Sequence, residues 1–195
     1  DDHTLQLLDL FDKHGIKVTI FLAGNWIKSY PDMVKEISNR GHEIGNHSLT
    51  HPHMSQISTE QMKKELLDTE NMIYDLTGVK TTNFRPPFGD YNNDLIVTAR
   101  ECGYTTVQWS IDSLDWKDLS ADDIYARVMG KFSGGDIILF HNAGKNTLEA
   151  LERIITDLKA QGYQIVPVSE ILLKGDTYTD KATGEQRLSN PANRG

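Results

Sequence analysis

Cysteine is all but absent: the 195 residues hold one, Cys102, which excludes an internal disulfide. A buried, small apolar side chain in a helix-like segment is its simplest role. Positive charge is scarce too, with 20 Lys and Arg against 28 Asp and Glu and a net charge of -8. The two signs are interspersed, so no basic stripe is offered to nucleic acid. No apolar run approaches the roughly 20 residues of a membrane-spanning helix. The polar start at Asp1 is not a signal peptide, which leaves a cytosolic protein or one whose targeting segment has been removed. With 38% hydrophobic residues, the chain can fill one core and not two comfortable domains.

What is present is a repeated order of helix, glycine and strand. Thr4 to His14 carries Leu5, Leu7, Leu8 and Phe11 at helical spacing, Gly15 stops it, and Ile16 to Leu22 reads as a buried strand. Pro31 to Arg40 stops at Gly41 before a strand from His42 to Asn46, and Thr59 to Thr77 stops at Gly78 before an extended stretch to Arg85. Asn93 to Cys102, Gly103 and a strand from Tyr104 to Ile111 follow, and the last copy is Thr147 to Gln161, Gly162 and Tyr163 to Val168. Ser58 with Gln61 and Ser120 with Asp123 have capping-box spacing. Between them and the last copy lie a helix from Ala121 to Lys131, a turn at Ser133 to Gly135, and an apolar run from Asp136 to His141 suited to a parallel strand covered on both faces. Alternating strands and helices imply an α/β fold with a parallel sheet, open or closed into a barrel. Residues 174–195 are polar and aperiodic, an extended or disordered tail, so the domain is expected over 1–173.

In such folds catalytic groups gather where strands end. His47 and His51 follow one strand at a spacing that lets two imidazoles share a cation if the chain makes a helical turn there, although an isolated pair of this kind is more often a surface feature. Arg85 follows the next strand in Arg85-Pro-Pro-Phe-Gly89, where Pro86 favours extended backbone at Arg85 and Gly89 permits a sharp turn. That loop can aim one guanidinium and one amide. Asp112 and Asp115 follow the next strand, with Trp116 beside them, and His141 ends another, where Asp115 would hold it in one orientation and raise its pKa. Titratable groups from four segments at one rim are a stronger signal than any alone. His3, His14 and His42 read as structural, and His53 as at most an outer neighbour of the pair.

Asn46-His-Ser-Leu-Thr-His51, Arg85-Pro-Pro-Phe-Gly89, Asp112-Ser-Leu-Asp-Trp116 and Leu139-Phe-His141, in this order, resemble the second to fifth motifs of the polysaccharide deacetylase family, the fourth carbohydrate esterase family. The resemblance runs from about Thr4 to Leu173 and is nearest to the peptidoglycan and spore-cortex deacetylases of Gram-positive bacteria. It implies a distorted (β/α) barrel with fewer than eight strands. It also implies removal of acetyl groups from N-acetylated sugars of peptidoglycan or a chitin-like polymer, outside a bacterial cell or in its envelope, by a monomeric single domain with a polysaccharide or oligosaccharide as its partner. His47 and His51 would bind one divalent ion, zinc foremost, with cobalt, nickel, iron or manganese as alternatives. The backbone N–H of Phe88, where the family usually has tyrosine, would help hold the oxyanion. His141 would protonate the departing amine with Asp115 tuning it, Trp116 and Leu139 would wall the acetyl methyl, and Arg85 would orient a catalytic base.

That base, and a carboxylate ligand, belong in the family to a first strand ending in a motif such as Thr-Phe-Asp-Asp-Gly. This chain opens at Asp1-Asp2-His3, several residues too close to the first helix, so the first strand is expected to be missing from it. Whether Asp1 or Asp2 reaches the ion instead is left open. Two other classes remain: a catalytically inactive carbohydrate-binding or scaffold protein on the same fold, and a metallophosphatase, which the few rim carboxylates disfavour.

Overall fold

The computed structural model describes residues 2–180, 182 and 184–189. Helix α1 (Thr4–His14) turns Leu7, Leu8, Leu10 and Phe11 inward. It closes where Gly15, at φ 63°, lets its N–H reach the Asp12 carbonyl while the Ile16 N–H reaches that of Phe11. Strand β1 (Thr19–Leu22) follows, then α2 (Gly24–Ser29), α3 (Pro31–Asn39) and β2 (Glu43–Asn46). Helix α4 (Thr59–Thr77) starts in a reciprocal capping box between Ser58 and Gln61, and leads to β3 (Asn83–Phe84). Next come α5 (Asn93–Glu101), β4 (Thr105–Thr106), β5 (Ile111–Asp112), α6 (Ala121–Met129), β6 (Ile138–Leu139), α7 (Thr147–Ala160) and α8 (Val168–Ile171).

The strands β1 to β4 pair in chain order, all parallel, and β5 pairs parallel with β6. These two arcs, with helices between successive strands, make the α/β distorted barrel of fewer than eight strands. Among the described residues no strand precedes α1. Register places Leu22 beside Asn46, Asn46 beside Phe84, and Phe84 beside Thr106, so the first four strands end in one row. Three apolar clusters lie between strands and helices, around Leu8, Val34 and Ile44, around Met62, Leu66 and Phe84, and around Ile124, Val128 and Ile154.

Several sequence expectations are corrected. The strand expected from Tyr104 to Ile111 is two short ones, because its first part pairs with β3 and its last with β6, and between them Gln108 donates its side-chain amide to the Gly89 carbonyl at 2.9 Å. No ladder forms over 163–167, where Pro167 has no N–H to give, and the chain enters α8 instead. The strand from Asp136 to His141 shortens to Ile138–Leu139. Cys102 is half-buried at the end of α5, against the second cluster. In the polar tail, β7 (Thr177–Thr179) pairs antiparallel with β8 (Gln186–Leu188), a largely exposed ribbon.

Candidate functional site

Because the strands end in register, the residues after them meet at one rim. His47 follows β2, and its backbone N–H bonds the Leu22 carbonyl at 3.0 Å. No helical turn links it to His51: Ser48 and His51 both adopt left-handed backbone, at φ 68° and 61°. That conformation brings the rings to 4.9 Å between centroids, inclined by 70°. Phe88 and Leu114 also have positive φ, so four motif residues adopt a geometry costing about 1–3 kcal/mol each and tolerated only where surroundings enforce it.

The Arg85 carbonyl accepts the His47 Nδ1 proton at 2.7 Å. The tautomer this fixes leaves the Nε2 lone pair for a ligand, the usual support for a metal-binding histidine. Burial, opposed by that hydrogen bond and aided by the charges of His51, Arg85 and His141, lowers the His47 pKa to about 4. Burial likewise lowers that of His51. Both imidazoles are therefore neutral donors at neutral pH. Among the described residues no group of three His, Cys, Asp or Glu is gathered to hold a metal, so this pair supplies two donors of a set.

Arg85 is only 8% exposed and has no carboxylate partner among the described residues. Its guanidinium lies 4.2 Å over the Phe21 ring and 5.7 Å from that of Trp109, and donates one long bond of 3.4 Å to the Gln108 carbonyl. Nε has no partner, and burial lowers the pKa to about 10. Gly45 makes the stack possible, since a β-carbon there would stand 2.4 Å from the Phe21 ring. Phe88, 61% exposed, sits on the turn Pro87–Gly89 with its ring 4.6 Å from that of His51. His53 stacks on Phe88 at 4.3 Å and lies 3.5 Å from Asp90.

Across the rim, Asp115 is fully buried. One oxygen meets His141 Nδ1 at 2.7 Å, and the other accepts the His141 main-chain N–H and the Thr147 hydroxyl, each at 2.7 Å. Burial pushes this carboxyl up, but the bonds from His141 and Thr147 outweigh it and hold the pKa below the usual aspartate value. Thr147 was not marked by the sequence, because 32 residues separate it from its partner. Asp112 instead shapes the turn, accepting the Leu114 N–H at 2.9 Å. Trp116 is 56% exposed with the Lys117 ammonium 5.0 Å over its ring, whereas Leu139 is buried in β6, its carbonyl bonded to Ser113.

Asp2 does not join the histidine pair. Its carboxylate accepts from the Thr4 N–H at 2.8 Å, the Thr4 hydroxyl, Trp26 Nε1 at 2.6 Å and Asn142 Nδ2 at 3.2 Å, which ties it to the start of α1. Asp1 lies outside the described residues.

Residues 1–107 match the family model described as polysaccharide deacetylase. A peptidoglycan-N-acetylglucosamine deacetylase of Bacillus cereus is 37% identical over 175 residues, covering 87% of this chain and 82% of that protein. The corresponding enzyme PgdA of Listeria monocytogenes is 35% identical over 90% of this chain and 38% of its own length. Among solved structures, a Bacillus anthracis protein described as a pseudoenzyme of carbohydrate esterase family 4 superposes with a TM-score of 0.84 at 36% identity, over 87% of this chain and 60% of that one. The chain spans 54% of the first curated relative and 38% of the next. It belongs to the polysaccharide deacetylase family, whose enzymes are in general metal-dependent.

Proposed function

We propose that residues 1–173 form a catalytic domain that hydrolyses acetyl groups from N-acetylglucosamine units of peptidoglycan or a similar polymer. The observation that carries this is the approach of two neutral imidazoles, at the row of ends of β1 to β4, to a third histidine held by a buried carboxylate, near enough for its charge to act on both. His47 and His51 would hold one divalent cation, zinc foremost. When bound, such an ion supplies Lewis-acid chemistry toward the acetyl carbonyl and toward water.

The remaining work falls to the chain's own groups. Asp115 holds His141 through Nδ1, so the protonated ring presents Nε2–H to the amine that leaves. The ring's 41% side-chain exposure lets it reach substrate. The Phe88 N–H, at its strained turn, would donate to the carbonyl oxygen as negative charge develops there. Trp116 and Leu139 would flank the methyl, and Arg85, buried without a carboxylate partner among the described residues, would orient a catalytic base. We place the enzyme as a monomer outside the cell or in its envelope; no described helix is long and apolar enough to cross a membrane.

Incubation with N-acetylglucosamine oligomers or peptidoglycan and added Zn²⁺ should release acetate and free amine in equal amounts, and a chelator should stop it. No acetate with zinc, cobalt, nickel, iron or manganese would refute the activity. A second reading, glycan binding without turnover, is favoured by the engagement of Asp2 elsewhere and by likeness to a pseudoenzyme. Retention on a glycan column without acetate release would establish it.

A further inference from the structure

The five residues from His47 to His51 carry both imidazoles through two left-handed turns, so something must keep that backbone from relaxing. Helix α2 supplies part of the restraint. The Gly24 N–H bonds the Ser48 carbonyl and the Asn25 N–H that of Leu49, each at 2.9 Å. A β-carbon on Gly24 would meet Leu49 Cδ1 at 2.5 Å, so the two segments are in close contact. From below, buried Asn46 accepts the Ser48 N–H at 2.9 Å while its amide is anchored by the Leu66 carbonyl and the Tyr104 hydroxyl.

The middle of the loop is held by one side chain. Glu65, on α4, accepts the N–H of Leu49 and the N–H of Thr50 on one oxygen, each at 2.8 Å, and the Thr50 hydroxyl on the other at 2.7 Å. Hydrogen bonds to a charged acceptor are roughly twice as strong as neutral ones. Three converge on one carboxylate midway between His47 and His51, from a helix that α5 and α3 pack against. With Asn46 and the Ser48 hydroxyl, which accepts the His51 N–H at 3.1 Å, every backbone N–H from Ser48 to His51 is engaged.

We infer that Glu65 is a positioning residue that fixes the spacing of His47 and His51, and so sets how tightly the pair takes up a divalent cation. The consequence for cation uptake rests on the proposed role of the two histidines; the restraint itself rests on the hydrogen bonds alone. A surface glutamate that merely stabilises α4 would leave both unaffected.

The test uses the full chain with Glu65→Ala and Glu65→Gln, following amide hydrogen exchange at Leu49 and Thr50, Zn²⁺ affinity by competition titration, and thermal melting. Glu65→Ala should speed exchange at both amides by about tenfold or more and weaken Zn²⁺ binding about 10- to 100-fold, the range for losing an outer support of a ligand. Protection in β2 should stay as in the parent, and Glu65→Gln, which keeps an acceptor, should fall between. Unchanged exchange at Leu49 and Thr50, or unchanged Zn²⁺ affinity despite faster exchange, overturns the inference. If Glu65→Ala does not fold, Glu65→Gln decides by the same two measurements. If the parent chain takes up no Zn²⁺, the cation reading of the histidines fails, and amide exchange alone decides whether Glu65 restrains the loop.

Discussion

His47 and His141 are the same side chain at the ends of two strands of one barrel, and their surroundings give them opposite chemistry. His47 donates Nδ1–H to a main-chain carbonyl and is held neutral by burial. His141 gives Nδ1 to the fully buried carboxylate of Asp115 while its ring stays in reach of solvent. The carbonyl fixes a tautomer and only partly offsets burial at His47, whereas at His141 the acceptor is a full carboxylate. The partner of Nδ1 therefore separates the proposed metal-ligand histidine from the proposed proton donor.

Asp115→Asn should break this contrast with the largest effect. The amide still has one oxygen to accept a bond but carries no charge, so His141 loses its charged anchor. kcat for acetate release should fall by about 10²–10⁴-fold, the usual contribution of a general acid, with KM and Zn²⁺ affinity little changed. An equal loss in Zn²⁺ affinity would mean that the two halves of the rim are not separate devices.

Acid titration of the metal-free chain sharpens the contrast next. His47 has a folded pKa near 4 against about 6.5 for a free imidazole. The unfolded chain thus binds the extra proton first as pH falls. The stability linked to this histidine is fully present above about 6.5 and declines as pH drops towards 4, by about 2–3 kcal/mol once its partial solvent contact is allowed for. Urea melts at pH 7, 5.5 and 4.5 should show that slope, and His47→Gln should flatten it. An unchanged slope in the variant would assign the effect to His51 and His42, whose pKa values burial also lowers.

Thr147→Val should have the smallest effect. It removes one of three bonds to Asp115 and leaves both from His141. Loss of about 1 kcal/mol in stability is expected, with kcat reduced less than tenfold. A larger fall in kcat than in Asp115→Asn would reverse the assigned order of support.

Much of this was legible in the sequence wherever neighbours along the chain decide the outcome. Gly15 and Gly78 end their helices in left-handed backbone, and the Ser58 box forms as its spacing implies. Strand extents were less legible, because a parallel ladder depends on a partner strand far away in sequence. The strand expected through Gln108 divides between β3 and β6, a choice of partner no local pattern expresses. At the rim the motifs name the histidines, arginine and aspartate, and Asn46 beside them, but two of the groups that hold them, Glu65 and Thr147, carry no motif of their own.

The sequence by itself determined the longer helices and which titratable residues stand after which strand, since both follow from periodicity and from glycine and proline in the backbone. Only the tertiary structure decided that His47 meets a carbonyl and His141 a carboxylate, that Asp2 turns to Thr4, Trp26 and Asn142, and that Arg85 is buried on Phe21. Those outcomes depend on desolvation and on partners brought together from 20 or more residues apart in most cases. Local pattern names a group, and packing sets its charge.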